Sequence, residues 1–352
     1  MIAARPAPGA EDQYESWLAR RIPGVEEVRP GIWSLPTIMP DNPLRYVIAY
    51  AIRTDDGLVL VDSGWLSEQS WDGLVDSIGS IGYSVRDVRM VLVTHAHVDH
   101  HGLTRRIVEE SGASVAMHRA EADALRVIAD SLTSDSMPLA SWLQERGAPA
   151  DEVAEMIAQM SDQTLSQIHH SLIAPDVLLE DGDRPVPGRP DIVAIATPGH
   201  TTGHLCFYLE REKLLLSGDH ILPRITPHVT RPPIIDDDAL GSYLSSLTKV
   251  ADLDAVEVLP AHEYRFSDLR GRVTGLVEHH HERLEEIRTA LQERRSSWQV
   301  ATQISWSRGW GATRGFMRQT ALSETYIHLR YLERLNGVRR PADIPDCWEL
   351  TG

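Results

Sequence analysis

Cysteine and long apolar runs are both scarce in this sequence of 352 residues. The two cysteines, Cys206 and Cys347, stand far apart and outside any Cys-x-x-Cys pair, so no disulfide framework is expected. No apolar stretch approaches the roughly 20 residues that cross a membrane. Residues 1–17 also lack the basic start and apolar run of a secretory signal. These absences predict a cytoplasmic protein with no membrane partner.

Clusters of basic residues are missing as well. None is larger than Arg294-Arg295 or Arg339-Arg340, and the formal charge of the chain is −17. Residues 276–352 carry 11 Arg against 10 acidic residues, so the negative charge lies on the first 275 residues. A polyanion would be repelled by such a body. A small-molecule substrate is therefore the expected partner, and nucleic acid is not.

Composition shifts divide the chain into segments. Residues 1–30 contain four prolines and predict a loosely held arm with one short helix near residues 12–21. Residues 31–275 carry short apolar runs broken by turn signals and predict the main domain, which is rich in strands. Within them, residues 119–174 are helical in pattern, as either a packing element or a lid over the substrate. Residues 276–352 predict a winged-helix-like domain, which could support a homodimer, as could the insertion.

Potential metal ligands follow a strand predicted at residues 88–94. Within six residues come His95, His97, Asp99 and His100. Three later predicted strands lead into His200, Asp219 and His262. So many ligands exceed what one open site uses, and they suit two ions about 3.5–4 Å apart with a carboxylate between them. Zinc is expected first, with manganese or iron as alternatives.

Four ordered motifs carry a family resemblance. They are Thr94-His-Ala-His-Val-Asp-His-His-Gly102, Thr197-Pro-Gly-His-Thr-Thr-Gly-His204, Ser217-Gly-Asp219 and Pro260-Ala-His262-Glu-Tyr264. Together they resemble the metallo-β-lactamase superfamily, in its hydroxyacylglutathione hydrolase-like branch. The C-terminal part is similar to members that end in a winged helix, such as lactamase-β-like protein 2. The resemblance implies an α/β fold, a four-layer αβ/βα sandwich with a helical insertion and a small C-terminal winged-helix domain.

The resemblance also implies a role for each ligand. His95, His97 and His200 would hold the first metal. Asp99, His100 and His262 would hold the second, and Asp219 would bridge both. Asp62 would orient a ligand imidazole from behind. A hydroxide shared by the metals would then attack a carbonyl, with Asp99 as the catalytic residue that orients it.

Other polar residues near these motifs keep two interpretations. His204 would either hydrogen-bond a ligand loop or touch the substrate. His220 adjoins Asp219 and could face the pocket, as could Tyr264 after His262; for Tyr264 the alternative is packing at the edge of the sandwich.

Departures from the family pattern narrow the activity without fixing the substrate. Asp219 argues against antibiotic hydrolysis, because true β-lactamases of this fold lack the bridging aspartate. No tyrosine follows Asp219 closely, as it does in acyl-homoserine lactonases. The prediction is a binuclear metal-dependent hydrolase of an ester, thioester or lactone. The alternative is a single-stranded RNA endonuclease or nucleic-acid-binding member of the same superfamily.

Overall fold

Two β-sheets form the centre of the molecule. The computed structural model describes residues 4–133, 138–158, 169, 172–229, 238–341 and 346–351. The first sheet comprises β1 (Glu26–Arg29), β2 (Ile32–Ile38), β3 (Tyr46–Thr54), β4 (Gly57–Val61), β5 (Val88–Leu92), β6 (Ser114–His118) and β7 (Val177–Leu179), in that order. Neighbours are antiparallel from β1 to β4 and parallel from β4 to β7. Parallel neighbours bring the ends of β4 and β5 to the same edge of the sheet.

The second sheet has four strands and the C-terminal part carries a third, small one. The four strands are β8 (Ile192–Ala196), β9 (Leu205–Leu209), β10 (Leu214–Gly218) and β11 (Glu257–Pro260), in the order β11-β10-β9-β8. Only β10 and β11 are parallel. The small sheet comprises β12 (Arg295–Ser296), β13 (Val338–Arg339) and β14 (Cys347–Leu350), in the order β12-β14-β13.

Helices join many of the strands, and several of them cover the outer faces of the sheets. They are α1 (Glu11–Leu18), α2 (Glu68–Ser80), α3 (Val98–His101), α4 (Thr104–Ser111), α5 (Arg119–Thr133), α6 (Pro138–Glu145), α7 (Ala150–Ala158), α8 (Ala239–Ala251), α9 (Leu269–Ala290), α10 (Ser297–Ala301) and α11 (Gly315–Arg334). Among these described helices none combines the length and the apolar character needed to cross a bilayer.

Three apolar cores separate four layers. Tyr50 and Leu92 of the first sheet meet Phe207 and Leu216 of the second in the central core. The other face of the first sheet packs on α2, α4 and α5. The other face of the second sheet packs on α8, α9 and α11. The predicted αβ/βα fold class is thus confirmed, because each sheet is apolar on both faces and needs a layer on each side.

The N-terminal segment is held firmly, and the loose arm predicted for it is wrong from residue 4 onwards. Strand β1 joins the first sheet. The buried amide of Gln13 donates to Ser34 Oγ at 3.1 Å and accepts from Arg265 N at 3.1 Å. Proline content excluded a long helix but carried no information about these contacts with residues far along the chain.

The described part of the predicted insertion packs against the C-terminal helices. Val153 and Met156 of α7 share an apolar cluster with Trp298 and Leu322 of the C-terminal region. The predicted lid stays a prediction, since residues 134–137, 159–168 and 170–171 lie outside the described residues. Helix α9 runs through the predicted boundary at residue 275, and the winged-helix assignment of the helices and the β12-β14-β13 sheet also stays a prediction.

Candidate metal centre

Loops that follow strands of both sheets carry the predicted ligands to one edge of the sandwich. His95 and His97 follow β5, and His200 follows β8. Asp219 comes directly after β10, and His262 two residues after β11. Asp99 and His100 lie on the single turn of α3. All seven predicted ligand residues therefore converge although they span 168 positions of the sequence.

Three imidazoles form the first group, defined as His95, His97 and His200. His95 Nε2 lies 2.9 Å from His97 Nδ1 and 3.2 Å from His200 Nε2. His200 Nε2 lies 3.1 Å from His97 Nδ1. Three ring nitrogens that face one another at these distances form a donor set suited to a borderline-soft dication.

The second group, Asp99, His100 and His262, lies beside the first. His262 Nε2 lies 3.4 Å from Asp99 Oδ2, and His100 Nε2 lies 3.8 Å from the same oxygen. The two groups together with Asp219 form clusters of side chains able to hold metal ions.

Asp219 stands between the two groups and divides its oxygens between them. Its Oδ1 lies 3.5 Å from His100 Nε2 and 3.4 Å from His262 Nε2. Its Oδ2 lies 3.7 Å from His200 Nε2. A carboxylate in this position can supply one oxygen to each of two cations.

Several of these atoms are buried without a hydrogen bond. His100 Nε2, His262 Nε2 and Asp219 Oδ1 have no hydrogen-bond partner among the described residues. Buried polar atoms are rarely left in this condition unless an ion or ligand completes them. The donor set and its unsatisfied atoms therefore fit bound divalent metal.

Charge is distributed unevenly over the centre. Burial opposes the imidazolium form of His262, but Asp219 and Asp99 outweigh it and raise the pKa of His262 to about 10. The same carboxylates hold the pKa of His100 well above its usual range against the effect of burial. Burial and the neighbouring imidazoles hold the pKa of His95 well below its usual range. The second group thus attracts positive charge, and the first offers neutral nitrogens.

Hydrogen bonds to the ring nitrogens that point away from the centre orient several of these imidazoles. Asp62 Oδ2 accepts from His100 Nδ1 at 2.8 Å, as predicted for this aspartate, and also from Thr94 Oγ1 at 2.8 Å. His200 Nδ1 donates to the carbonyl of His228 at 2.7 Å, and His262 Nδ1 donates to that of Tyr46 at 3.2 Å. Each bond fixes the tautomer that turns the other ring nitrogen toward the centre.

His204 contacts the loop that carries Asp219. Its Nε2 accepts from the backbone N–H of Asp219 at 3.2 Å, and its Nδ1 donates to Thr197 Oγ1 at 2.8 Å. The ring is fully buried, and burial holds its pKa well below the usual range. Of the two interpretations of His204, the structure favours the contact with a ligand loop.

His220 and Tyr264 are both buried, and the pocket role predicted for each stays a prediction. His220 is fully buried, with its ring 5.2 Å from that of Tyr243 on the core side of the second sheet. Tyr264 is 1% exposed, donates to Ala4 O at 3.1 Å and packs edge-on against Tyr14. The N-terminal segment covers it.

Two supporting residues escaped sequence reasoning. Thr94 binds Asp62 through both its N–H and its hydroxyl, each at 2.8 Å. Its position directly before His95 was the available signal. Glu121 contacts two ligand loops but lies 24 residues beyond His97, in a segment that resembles any amphipathic helix. No local signal marked it.

The layers and the centre define an α/β sandwich protein with histidine and aspartate clusters able to hold divalent metal. The profile described as "Metallo-beta-lactamase superfamily" matches residues 43–262. The chain belongs to this superfamily, whose members are metal-dependent hydrolases.

Individual relatives are distant. A beta-lactamase-like protein 2 homolog of Caenorhabditis elegans is 24% identical over 324 residues, which cover 90% of each chain. An atrochrysone carboxyl ACP thioesterase of a Cryptosporiopsis species is 29% identical over 103 residues, 29% of this chain and 30% of its own. The crystal structure of a metallo-beta-lactamase family protein from Thermus thermophilus has a TM-score of 0.76, at 27% identity over 92% of this chain and 100% of that one.

Proposed function

We propose that the protein is a binuclear metal-dependent hydrolase of a thioester, ester or lactone. The observation that carries this proposal is the position of Asp219, whose two oxygens face different ligand groups at 3.4–3.7 Å. A single metal site would leave one of these oxygens and part of the ligand set without use. The first group with Asp219 would hold one ion, and the second group with Asp219 the other.

Bound divalent metals would supply a hydroxide nucleophile near neutral pH and polarise the scissile carbonyl. The chain's own part is to hold the acid–base groups in place. His100 and His262 hold the pKa of Asp99 below its usual range although burial opposes this, so the carboxylate is ionised. An ionised Asp99 can accept a hydrogen bond from the nucleophile, and we assign it the orienting role.

Covalent catalysis by cysteine is disfavoured at this centre. Cys206 is fully buried in strand β9, and burial raises the pKa of its thiol to about 12. A thiol in this state is neither exposed nor deprotonated at neutral pH. Cys347 is buried in β14, far along the chain in the small C-terminal sheet. The proposed reaction therefore uses no cysteine nucleophile.

The thioester is the first substrate class to test. A relative that matches about a third of the chain is named as an acyl-carrier-protein thioesterase, which supports acyl transfer to water as the reaction class. A thiolate is also a better leaving group than an alkoxide, so acid catalysis of its departure is not required. Zinc is the proposed metal, because imidazole and carboxylate ligands suit it, with manganese and iron as the other arms of the test.

Metal analysis and a substrate panel test the proposal together. The purified protein should retain close to two equivalents of metal and hydrolyse at least one acyl thioester, ester or lactone. His97→Ala and Asp219→Ala should each lose hydrolysis and part of the metal. His281→Ala is the matched control, since His281 is an exposed histidine on α9.

Two outcomes would contradict the proposal. Two metals per chain retained by both ligand variants would refute the ligand assignment. Cleavage of single-stranded RNA, with no turnover of any acyl substrate, would favour the nuclease alternative.

A further inference from the structure

Glu121 links two ligand loops through both oxygens of one buried carboxylate. It is the third residue of α5, and its side chain is 1% exposed. Its Oε2 accepts from the backbone N–H of Ala96 at 2.8 Å. Its Oε1 accepts from the backbone N–H of Gly203 at 2.8 Å. The two N–H donors belong to the loop after β5 of the first sheet and the loop after β8 of the second sheet.

The two loops carry every member of the first group. Ala96 lies between His95 and His97, and Gly203 lies three residues after His200. The three ring nitrogens must stay within about 3 Å of one another, as they do at 2.9–3.2 Å, to share one ion. A carboxylate that accepts a hydrogen bond from each loop is a direct means to keep that spacing.

The approach of the second loop to α5 is too close for a side chain at residue 203. A Cβ built on Gly203 would lie 2.6 Å from Glu121 N and 2.9 Å from Glu121 Cγ. Glycine therefore permits the contact between this loop and the first turn of the helix.

Stabilisation of its own helix does not explain this geometry. An acidic residue in the first turn ordinarily faces the helix N-terminus or solvent. The Glu121 carboxylate is instead buried, and burial raises its pKa even though its hydrogen bonds act in the opposite direction. Burying a carboxylate is costly unless its oxygens are well bonded, and here both bonds go to ligand loops.

We propose that Glu121 is a positioning residue for the first metal: it sets the distance between the His95–His97 loop and the His200 loop. The role rests on the proposed ligation of metal by the first group. Glu121 also connects the predicted helical insertion, which begins with α5, to the metal centre.

The test measures the zinc affinity of two variants, each of which keeps only one of the two ligand groups intact. His262→Ala removes a ligand of the second group and leaves the first group intact; His97→Ala does the reverse. In the His262→Ala background, Glu121→Gln should weaken zinc binding about 10- to 100-fold, the range for loss of an outer hydrogen-bond partner. In the His97→Ala background the same change should alter affinity by less than about threefold, because the hydrogen bonds of Glu121 go to Ala96 and Gly203 and to no member of the second group.

Spectroscopy and a neighbouring control separate positioning from general destabilisation. With Co²⁺ in the His262→Ala protein, Glu121→Gln should shift the visible ligand-field absorption. Glu180→Gln is the control. Glu180 forms an ion pair at 2.9 Å with Arg119, which lies on α5 as Glu121 does, but Glu180 touches neither ligand loop. Glu180→Gln should leave both the affinity and the spectrum unchanged.

Equal losses of affinity in both backgrounds, or losses under about threefold in both, would overturn the proposal. If Glu121→Gln does not fold, Glu121→Asp goes through the same titrations, since it keeps the charge but cannot span both donors. Failure of every acyl substrate would refute the proposed function and leave this metal-binding test unaffected.

Discussion

The imidazole of His100 is hydrogen-bonded to the carboxylate of Asp62, 38 positions earlier in the chain, with Nδ1 2.8 Å from Oδ2. Asp62 follows β4 and adopts a left-handed conformation with φ 62°, which aspartate tolerates better than most residues. Its other oxygen accepts from the N–H of Thr94 at 2.8 Å. One residue thus fixes both the loop after β5 and the ring of a ligand.

Asp62→Asn should weaken metal binding without removing a ligand. The amide nitrogen would lie opposite either the backbone N–H of Thr94 or both His100 Nδ1–H and the Thr94 hydroxyl. Either arrangement places donor against donor, so the ring would lose its fixed orientation. We expect a 10- to 100-fold loss of zinc affinity, measured by competition with a chelator. Asp72→Asn, on the exposed face of α2, should have no effect. Unchanged affinity in Asp62→Asn would show that the orientation of His100 does not depend on this bond.

Gly199→Ala should destabilise the fold and disturb His200. Gly199 has φ 141°, and a Cβ there would lie 2.5 Å from Tyr243 Cβ and 2.6 Å from its Cα on α8. Overpacking of this kind costs about 1–3 kcal/mol. The unfolding temperature and the metal content should therefore both be lower than in the wild-type protein. Gly79→Ala, at an open helical position, should be neutral or slightly stabilising, and equal unfolding temperatures for the two variants would contradict this account.

The ion pair between Glu152 and Arg318 should hold α7 against α11. Arg318 is 2% exposed, donates to the Trp310 carbonyl at 3.2 Å and lies over the Trp310 ring at 5.0 Å. Glu152→Gln would leave this guanidinium charge buried without a counter-ion, at a cost of about 3 kcal/mol in the free energy of unfolding.

Two further variants check that interpretation by denaturant unfolding. Glu155→Gln changes an exposed carboxylate of α7 and should be neutral. The double variant Glu152→Gln with Arg318→Met should recover most of the stability, because it removes the unpaired charge. A double variant no more stable than Glu152→Gln alone would argue against the pairing.

His328 should make the protein sensitive to acid. It is fully buried on α11, donates from Nδ1 to Glu324 O at 2.7 Å and lies 3.0 Å from His280 Nδ1 through Nε2. Burial lowers the pKa of His328 to about 3. Between pH 6.5 and 3 the unfolded chain therefore binds a proton that the folded chain does not, and stability falls as the pH is lowered.

The slope of stability against pH measures this effect. Each pH unit within that window costs up to about 1.4 kcal/mol for one such group. His328→Gln should flatten the slope of unfolding free energy between about pH 6 and pH 4. His281→Gln, on an exposed face, should leave the slope as it is. A slope of wild-type steepness in His328→Gln would assign the acid sensitivity to other groups.

Local sequence determined which residues can ligate metal and which strands they follow, but not the single-turn helix α3 that carries Asp99 and His100. The β-branched run before His95 formed β5, and the runs before His200, Asp219 and His262 formed β8, β10 and β11. Alternation and composition specify strands locally, and a strand that ends in a polar residue places it at a sheet edge. The family resemblance added the order of the motifs, and the superfamily match agrees with it.

Tertiary structure alone decided the contacts between distant segments. Nothing near Tyr264 in sequence indicated that Tyr14 would cover it, and nothing near Glu121 indicated that Ala96 and Gly203 would reach it. Such contacts arise when layers pack, so they depend on the shape and spacing of whole elements and leave no periodic signal in either partner. The sequence therefore predicted the candidate ligands, and packing decided which distant residues hold them in place.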